Sequence, residues 1–245
     1  MSKNIAKFRF KQFSVSHHRS SMKVGVDGVL IGCWTQIDGV SRILDVGTGC
    51  GLIALIMAQR CPEAEVIGID IDGASVDEAK ENIENSPWSD RVDIVECDFP
   101  VGMSTGKENG FDLIVSNPPY FDSGVSEIVT SRERARHQGS LSPSSLLEAS
   151  RLLLRQEGMV AMVVPYELSS ALEEKASGLG YRLMRKCLVR GHADAPYKRT
   201  LLQWRLGNEL FSHSDPGIEY LTLEVSNGMP TEDYQKLCRD FYLKF

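Results

Sequence analysis

From Arg42 onward the chain repeats one rhythm: a short apolar run, a break, then a segment with apolar residues at helical spacing. Strands read over Arg42–Val46, Glu65–Asp70, 91–96, Phe111–Ser116 and 159–164, and helices over Leu52–Arg60, 74–84 and 167–176. Strands alternating with helices of this length need crossover connections, and crossovers build a parallel sheet covered on both faces. The expectation is an α/β fold with a mostly parallel, seven-stranded, doubly wound sheet. Residues 181–189 and Arg199–Leu206 read as a C-terminal antiparallel hairpin. Around this core, residues 8–15 alternate apolar with polar like a strand, and Asp27 is placed to cap a helix reaching Trp34. Pro143 opens a helix that Gly158 is expected to end, 219–225 is a possible further strand, and 231–242 reads as a short helix. With no repeat or long linker, one domain of 1–245 is expected: a basic extension over 1–23, a core over 24–207 and a tail over 208–245.

The strand tips carry the chemistry. Leu44-Asp45-Val46-Gly47-Thr48-Gly49-Cys50-Gly51 ends the first strand of the rhythm, and its glycines let the backbone turn tightly and approach a ligand. The spacing is G-x-G-x-G, not the G-x-G-x-x-G that cradles a pyrophosphate. Asp70 ends the second strand, where a carboxylate can accept both hydroxyls of a ribose; Asp98, followed by Phe99, ends the third and offers a polar group and a flat apolar wall for an adenine. Asp45 can reach the amino end of an amino-acid tail. A cationic nucleoside without phosphate fits this set, which describes S-adenosylmethionine; the rival, a nicotinamide dinucleotide, would bring its pyrophosphate against carboxylates.

The fourth strand ends in Asn117-Pro118-Pro119-Tyr120. Two prolines lack N–H groups and cannot continue a sheet, so the strand stops in a stiff extended turn. Asn117 Oδ1 and the Pro118 carbonyl can accept the two hydrogens of a planar amino group while Tyr120 stacks on the attached ring.

A net charge of −6 argues against indiscriminate polyanion binding, yet residues 1–26 hold six cations and no acid. A second basic stretch runs from Lys175 to Arg205, including Lys198 and Arg199, against the single acid Asp194. Solvated surface and a localised phosphate-binding face both account for such segments. Six dispersed cysteines without a C-x-x-C pair support neither a zinc site nor a disulfide framework, and no metal is assigned. The longest apolar run in the glycine-rich region is too short to span a bilayer and the N-terminus lacks a secretion signal, so a cytoplasmic location is expected, with no membrane partner; a monomer is the expected state.

With LDVGTGCG and NPPY at successive strand tips, the chain resembles the class I, Rossmann-like S-adenosylmethionine-dependent methyltransferases that modify exocyclic or amide nitrogens. More narrowly it is similar to the bacterial tRNA1(Val) adenine-37 N6-methyltransferases, on the strength of 23–34 (KVGVDGVLIGCW), NPPY followed by Phe121, and Arg134-Ala135-Arg136-His137. A threonine usual before Asp27 is Val26 here. The resemblance implies S-adenosylmethionine as cofactor, held by Asp45, Gly47, Gly49, Gly51, Asp70, Asp98, Phe99 and Asn117. It implies catalysis at Asn117, Pro118, Pro119 and Tyr120, and a tRNA anticodon loop as partner. Lys7, Arg9, Lys23, Phe121, Arg134, Arg136, His137, Lys198 and Arg199 are the expected RNA contacts. Protein glutamine N5-methylation and amino-methylation of ribosomal RNA or DNA use the same tip geometry and stay open. So does a non-catalytic binding module on the same fold.

Overall fold

The computed structural model describes residues 7–20, 22–103, 110–119, 141–207 and 216–245. Among them, β1 (Phe8–Arg9) and β2 (Ser14–Val15) precede α1 (Val26–Trp34), β3 (Arg42–Val46), α2 (Leu52–Arg60), β4 (Glu65–Asp70), α3 (Gly73–Glu84), β5 (Val92–Glu96) and β6 (Phe111–Ser116). There follow α4 (Pro143–Leu153), β7 (Leu154–Pro165), α5 (Ser169–Gly178), β8 (Tyr181–Arg190), β9 (Arg199–Leu206), β10 (Glu219–Thr222) and α6 (Glu232–Cys238). The main sheet has the order β10-β8-β9-β7-β6-β3-β4-β5, and every neighbouring pair is parallel except those involving β9. The relatedness of sequence rhythm to architecture is direct: alternate residues of each strand face opposite layers. Ile43, Leu113, Val115 and Met159 join a core beneath α1, α2 and α3, while Leu44, Ile114, Val160 and Met162 join one beneath α4 and α5.

Four expectations change in detail. The sheet has eight strands, not seven, because β10 pairs in parallel with the end of β8 from Glu219↔Cys187 to Thr222↔Arg190. Arg185 fastens that edge: it grips Glu219 through two bonds of 2.9 Å and stacks 4.3 Å over Trp34. The strand read over 8–15 is a hairpin, folded by Phe10 N–H donating to the Phe13 carbonyl, and its rings pack inward, Phe10 on Phe13 at 4.6 Å and on Tyr242 at 5.8 Å. The helix expected to run to Gly158 ends at Leu153; Gly158 instead lies in β7 at a bulge against β6, where an added Cβ would come within 3.0 Å of the Arg155 and Phe111 carbonyls. Asp27 does not cap α1, whose N-cap is Gly25; it lies in the first turn and pairs with Arg199.

Candidate functional site

β3 is flanked by β4 on one side and β6 on the other, so the chain's crossovers part company there and leave a crevice at the carboxyl ends of the strands. The glycine turn leaves β3 and Asn117 leaves β6 at this point, one residue beyond the paired Val46 and Ser116. Ser116 Oγ donates to the Val46 carbonyl at 2.7 Å and locks the two tips together. The N–H groups of Gly47 and Thr48 both donate to the Ile69 carbonyl at 2.9 Å, which folds the turn over the end of β4. Gly47 and Gly49 have φ of 70° and 55°, a conformation that penalises any side chain, and a Cβ on either would meet nothing within 4 Å. Their backbone therefore faces open space. Gly68 on β4 makes room beneath: its Cβ would lie 2.8 Å from Thr48 Oγ1.

Asp45 sits behind the turn, fully buried. Its Oδ2 accepts from Thr48 Oγ1 at 2.6 Å and from Ala54 N–H at 3.0 Å, tying the turn to the start of α2, while Oδ1 is buried without a hydrogen-bond partner. Burial pushes its carboxyl up to about 7, eased by those two donors and worsened by Asp70. An orphaned carboxylate oxygen is costly, and a ligand cation would satisfy it. Asp70 accepts from Gly49 N–H at 2.9 Å and Asp72 N–H at 3.0 Å, one donor per oxygen, which leaves acceptor capacity on each.

A cavity of about 320 Å³ lies between the glycine turn and the approach to α1, with Gly47, Gly49 and Ile53 on one wall, Met22, Lys23, Val26 and Asp27 on the other, and Asn117 at the seam. The N-termini of α1 and α2 both open onto it, so partial positive charge and Lys23 meet in one place. The outer wall is held by groups that sequence reasoning missed. The buried Glu78 carboxylate accepts the N–H groups of His18, Arg19 and Ser20 at 2.7 to 3.1 Å. Burial works to raise its pKa, but donation from Ser20, His18 and Arg19 outweighs that and lowers it. Asn82, one turn on, accepts from Ser16 N–H and donates to the Ser16 and Cys50 carbonyls, joining this segment to the glycine turn. His17 Nδ1 accepts from Val24 N–H at 3.2 Å; burial, then His18, lowers its pKa and preserves the neutral ring this bond requires. The available signal was two polar residues, Glu78 and Asn82, spaced i,i+4 beside the apolar positions of α3.

The remaining sequence-derived candidates are dispersed. Tyr120, Phe121, Arg134, Arg136 and His137 lie outside the described residues. Pro118 is buried and Pro119 half-buried, directly after Asn117. Gly51 caps α2 in the left-handed conformation. Asp98 is exposed just past β5, whereas the Phe99 ring is buried in the core that also holds Val46 and Ile69; neither lines the cavity. Lys7, Arg9 and Lys198 are exposed, Lys23 is on the cavity wall, and the Arg199 guanidinium bonds Asp27 at 2.7 Å. Among the described residues no group of three or more His, Cys, Asp or Glu side chains could hold a metal ion, and no helix is long and apolar enough to cross a membrane.

The family described as methyltransferase small domain matches residues 29–175. A tRNA1(Val) (adenine(37)-N6)-methyltransferase of Bacteroides fragilis is 42% identical across 97% of this chain and 98% of its own length. One of Proteus mirabilis is 37% identical across 97% and 94%. Among solved structures, a predicted O-methyltransferase from Agrobacterium tumefaciens superposes with a TM-score of 0.64 at 16% identity, covering 88% of this chain and 96% of that one. P. horikoshii TYW2 in complex with MeSAdo gives 0.52 at 15% identity, covering 79% and 67%. At such identities the likeness is one of fold.

Proposed function

The chain belongs to the methyltransferase small domain family and, within it, to the tRNA1(Val) (adenine(37)-N6)-methyltransferases, and from that premise we propose how its own residues carry out N6-methylation of adenine in tRNA. The observation that carries the reading is the meeting, at one switch point, of a glycine turn backed by an orphaned buried carboxylate oxygen with an asparagine at the tip of the adjoining strand.

S-adenosylmethionine, when bound, supplies a methyl group on a sulfonium. The buried Asp45 carboxylate, just behind the glycine turn, would favour its ammonium through charge, and that nearby cation would offset the isolation of Oδ1. Lys23 and the two helix N-termini suit the carboxylate of the same tail. Asp70 retains the acceptor capacity to take ribose hydroxyls, and Asp98 suits the cofactor's adenine. Phe99 acts from within the core by fixing the backbone at 97–100 rather than by offering a ring face.

Asn117 Oδ1 and the Pro118 carbonyl accept the two hydrogens of the substrate amino group. An arylamine is a poor nucleophile because its lone pair is delocalised into the ring; holding both hydrogens favours pyramidal nitrogen and frees that pair. The product ammonium is acidic and loses its proton readily, so no strong base is required before attack. Positioning of this kind can lower a barrier by about 7–11 kcal/mol. Tyr120 stacks on the base, and Arg134, Arg136 and His137 contact loop phosphates. An anticodon-loop base is already outside a duplex, which lowers the cost of swinging it into the site. The chain acts in the cytoplasm as a monomer, with 1–23 and 208–245 flanking a catalytic core over 24–207.

The test is incubation with radiolabelled S-adenosylmethionine and, in separate tubes, tRNA lacking the modification and a protein release factor. Label in tRNA, mapped by mass spectrometry to adenine-37 N6, is expected; label in the protein alone overturns the assignment.

A further inference from the structure

Three tyrosines far apart in sequence form a row on the surface. Tyr166 follows the end of β7, Tyr197 precedes β9, and Tyr220 lies on β10. Their ring centroids succeed one another at 6.0 Å and 5.9 Å, with planes tilted by 36° and 45°. The end rings are open to water, Tyr166 at 41% and Tyr220 at 62% of full exposure. The middle ring is held: the Arg190 guanidinium lies 5.4 Å over it and is itself fixed by Thr222 Oγ1 and the Ala193 carbonyl. Exposed Lys198 and His192 stand in the same turn, against the exposed carboxylates of Asp194 and Glu167.

The row and the site share one edge of the sheet. Ser116 pairs with Met162, which sets Asn117 level with Val163, so strand geometry puts Tyr166 three residues, about 10 Å, further along the strand direction at the same carboxyl edge. Tyr197 is two residues from Arg199, whose partner Asp27 lines the cavity. The chemistry at Asn117 has no use for these rings, and the sheet edge is already covered by β10.

We propose that Tyr166, Tyr197 and Tyr220, flanked by Arg190 and Lys198, form a stacking platform for an unpaired nucleobase of the RNA strand that flanks the target adenine. Aromatic faces accept any base, and adjacent cations follow the phosphates, which is how single-stranded RNA is gripped without reading its sequence. The proposal rests on the tRNA-methyltransferase reading, and its test is arranged to separate the two.

Binding of a fluorescent anticodon stem-loop RNA is measured by anisotropy for Tyr166→Ala, Tyr220→Ala, the double variant and Tyr220→Phe across a salt series. Each alanine weakens binding roughly fivefold or more, and the double variant weakens it further. The phenylalanine variant, which keeps the stacking face, stays near wild type. The slope of affinity against salt is unchanged, because a lost ring releases no counterions. S-adenosylmethionine affinity and melting temperature also hold. Wild-type affinity in the double variant overturns the platform, and so does a loss in Tyr220→Phe equal to that in Tyr220→Ala. If wild-type protein methylates no tRNA, the functional reading falls, while the same binding series still decides the platform.

Discussion

The carboxyl edge of the sheet has two halves built on opposite plans. On the β3–β4 half polar groups turn inward: Asp45 holds the Thr48 hydroxyl and the start of α2, while Asp70, Glu78 and Asn82 hold backbone of the turn and of the segment leading to α1. On the half formed by β7, β9, β8 and β10, aromatic and cationic groups stand outward at Tyr166, Lys198 and Tyr220. A small ligand is held by a rigid cage whose own donors are already satisfied, whereas a large, flexible polyanion needs an open surface. Asn117 stands where the halves meet, and changes in either half should leave the other's ligand untouched.

Replacing the residue at the seam has the largest effect. Asn117→Ala lowers kcat on the order of 10²-fold or more, with S-adenosylmethionine and tRNA affinities nearly unchanged in separate binding assays; full turnover would break the comparison at its centre. Next is pH. The folded pKa of Asp45, about 7, lies above its ordinary 3.8, so between those values the folded state holds a proton that the unfolded state has lost. Stability of the cofactor-free protein therefore falls as pH rises across that window and levels off above it. A cofactor cation beside Oδ1 favours the carboxylate, so S-adenosylmethionine affinity climbs with pH, by up to about tenfold per unit, until about pH 7. Calorimetry in buffers of different ionisation heat should register proton release on binding below that pH, and Asp45→Asn should abolish it.

Glu78→Gln removes the anion from the three N–H groups of the segment that leads into the cavity's outer wall. A loss of about 1.5–3 kcal/mol in stability is expected, with roughly tenfold weaker cofactor binding and unchanged tRNA affinity. Because the Glu78 pKa is lowered in the folded state, its contribution is present above the ordinary glutamate pKa and vanishes as pH falls through the folded value; chemical denaturation at acid pH should show the variant and wild type converging. Smallest is Lys198→Ala, which weakens tRNA binding a few-fold and reduces its salt slope by about one, leaving cofactor affinity alone. A cofactor defect there would show the halves to be coupled.

The strand–turn–helix order was legible because a buried parallel strand needs a continuous apolar run and its crossover helix an apolar stripe, both local patterns. Edge pairings were not. A strand was readable within 219–225, but its place beside β8, held by Arg185 and Glu219 thirty-four residues apart, was not. Pairing within the second basic stretch was equally illegible: of the cations between Lys175 and Arg205, Lys175 pairs with Glu148, Arg185 with Glu219, Lys186 with Glu173 and Arg199 with Asp27. A run of charge records what residues are present, not which of them find a partner across the fold.

By itself the sequence determined the layered α/β architecture, the glycine turn and the proline-stopped strand, since each follows from backbone conformations that Gly and Pro allow or forbid. Only the tertiary structure decided that Asp45 would be buried with one oxygen unpartnered, that Glu78 and Asn82 would fasten the segment leading to α1, and that three distant tyrosines would share one surface. Those outcomes depend on groups brought together across many residues, where solvent exclusion and distance, not local preference, set the energies.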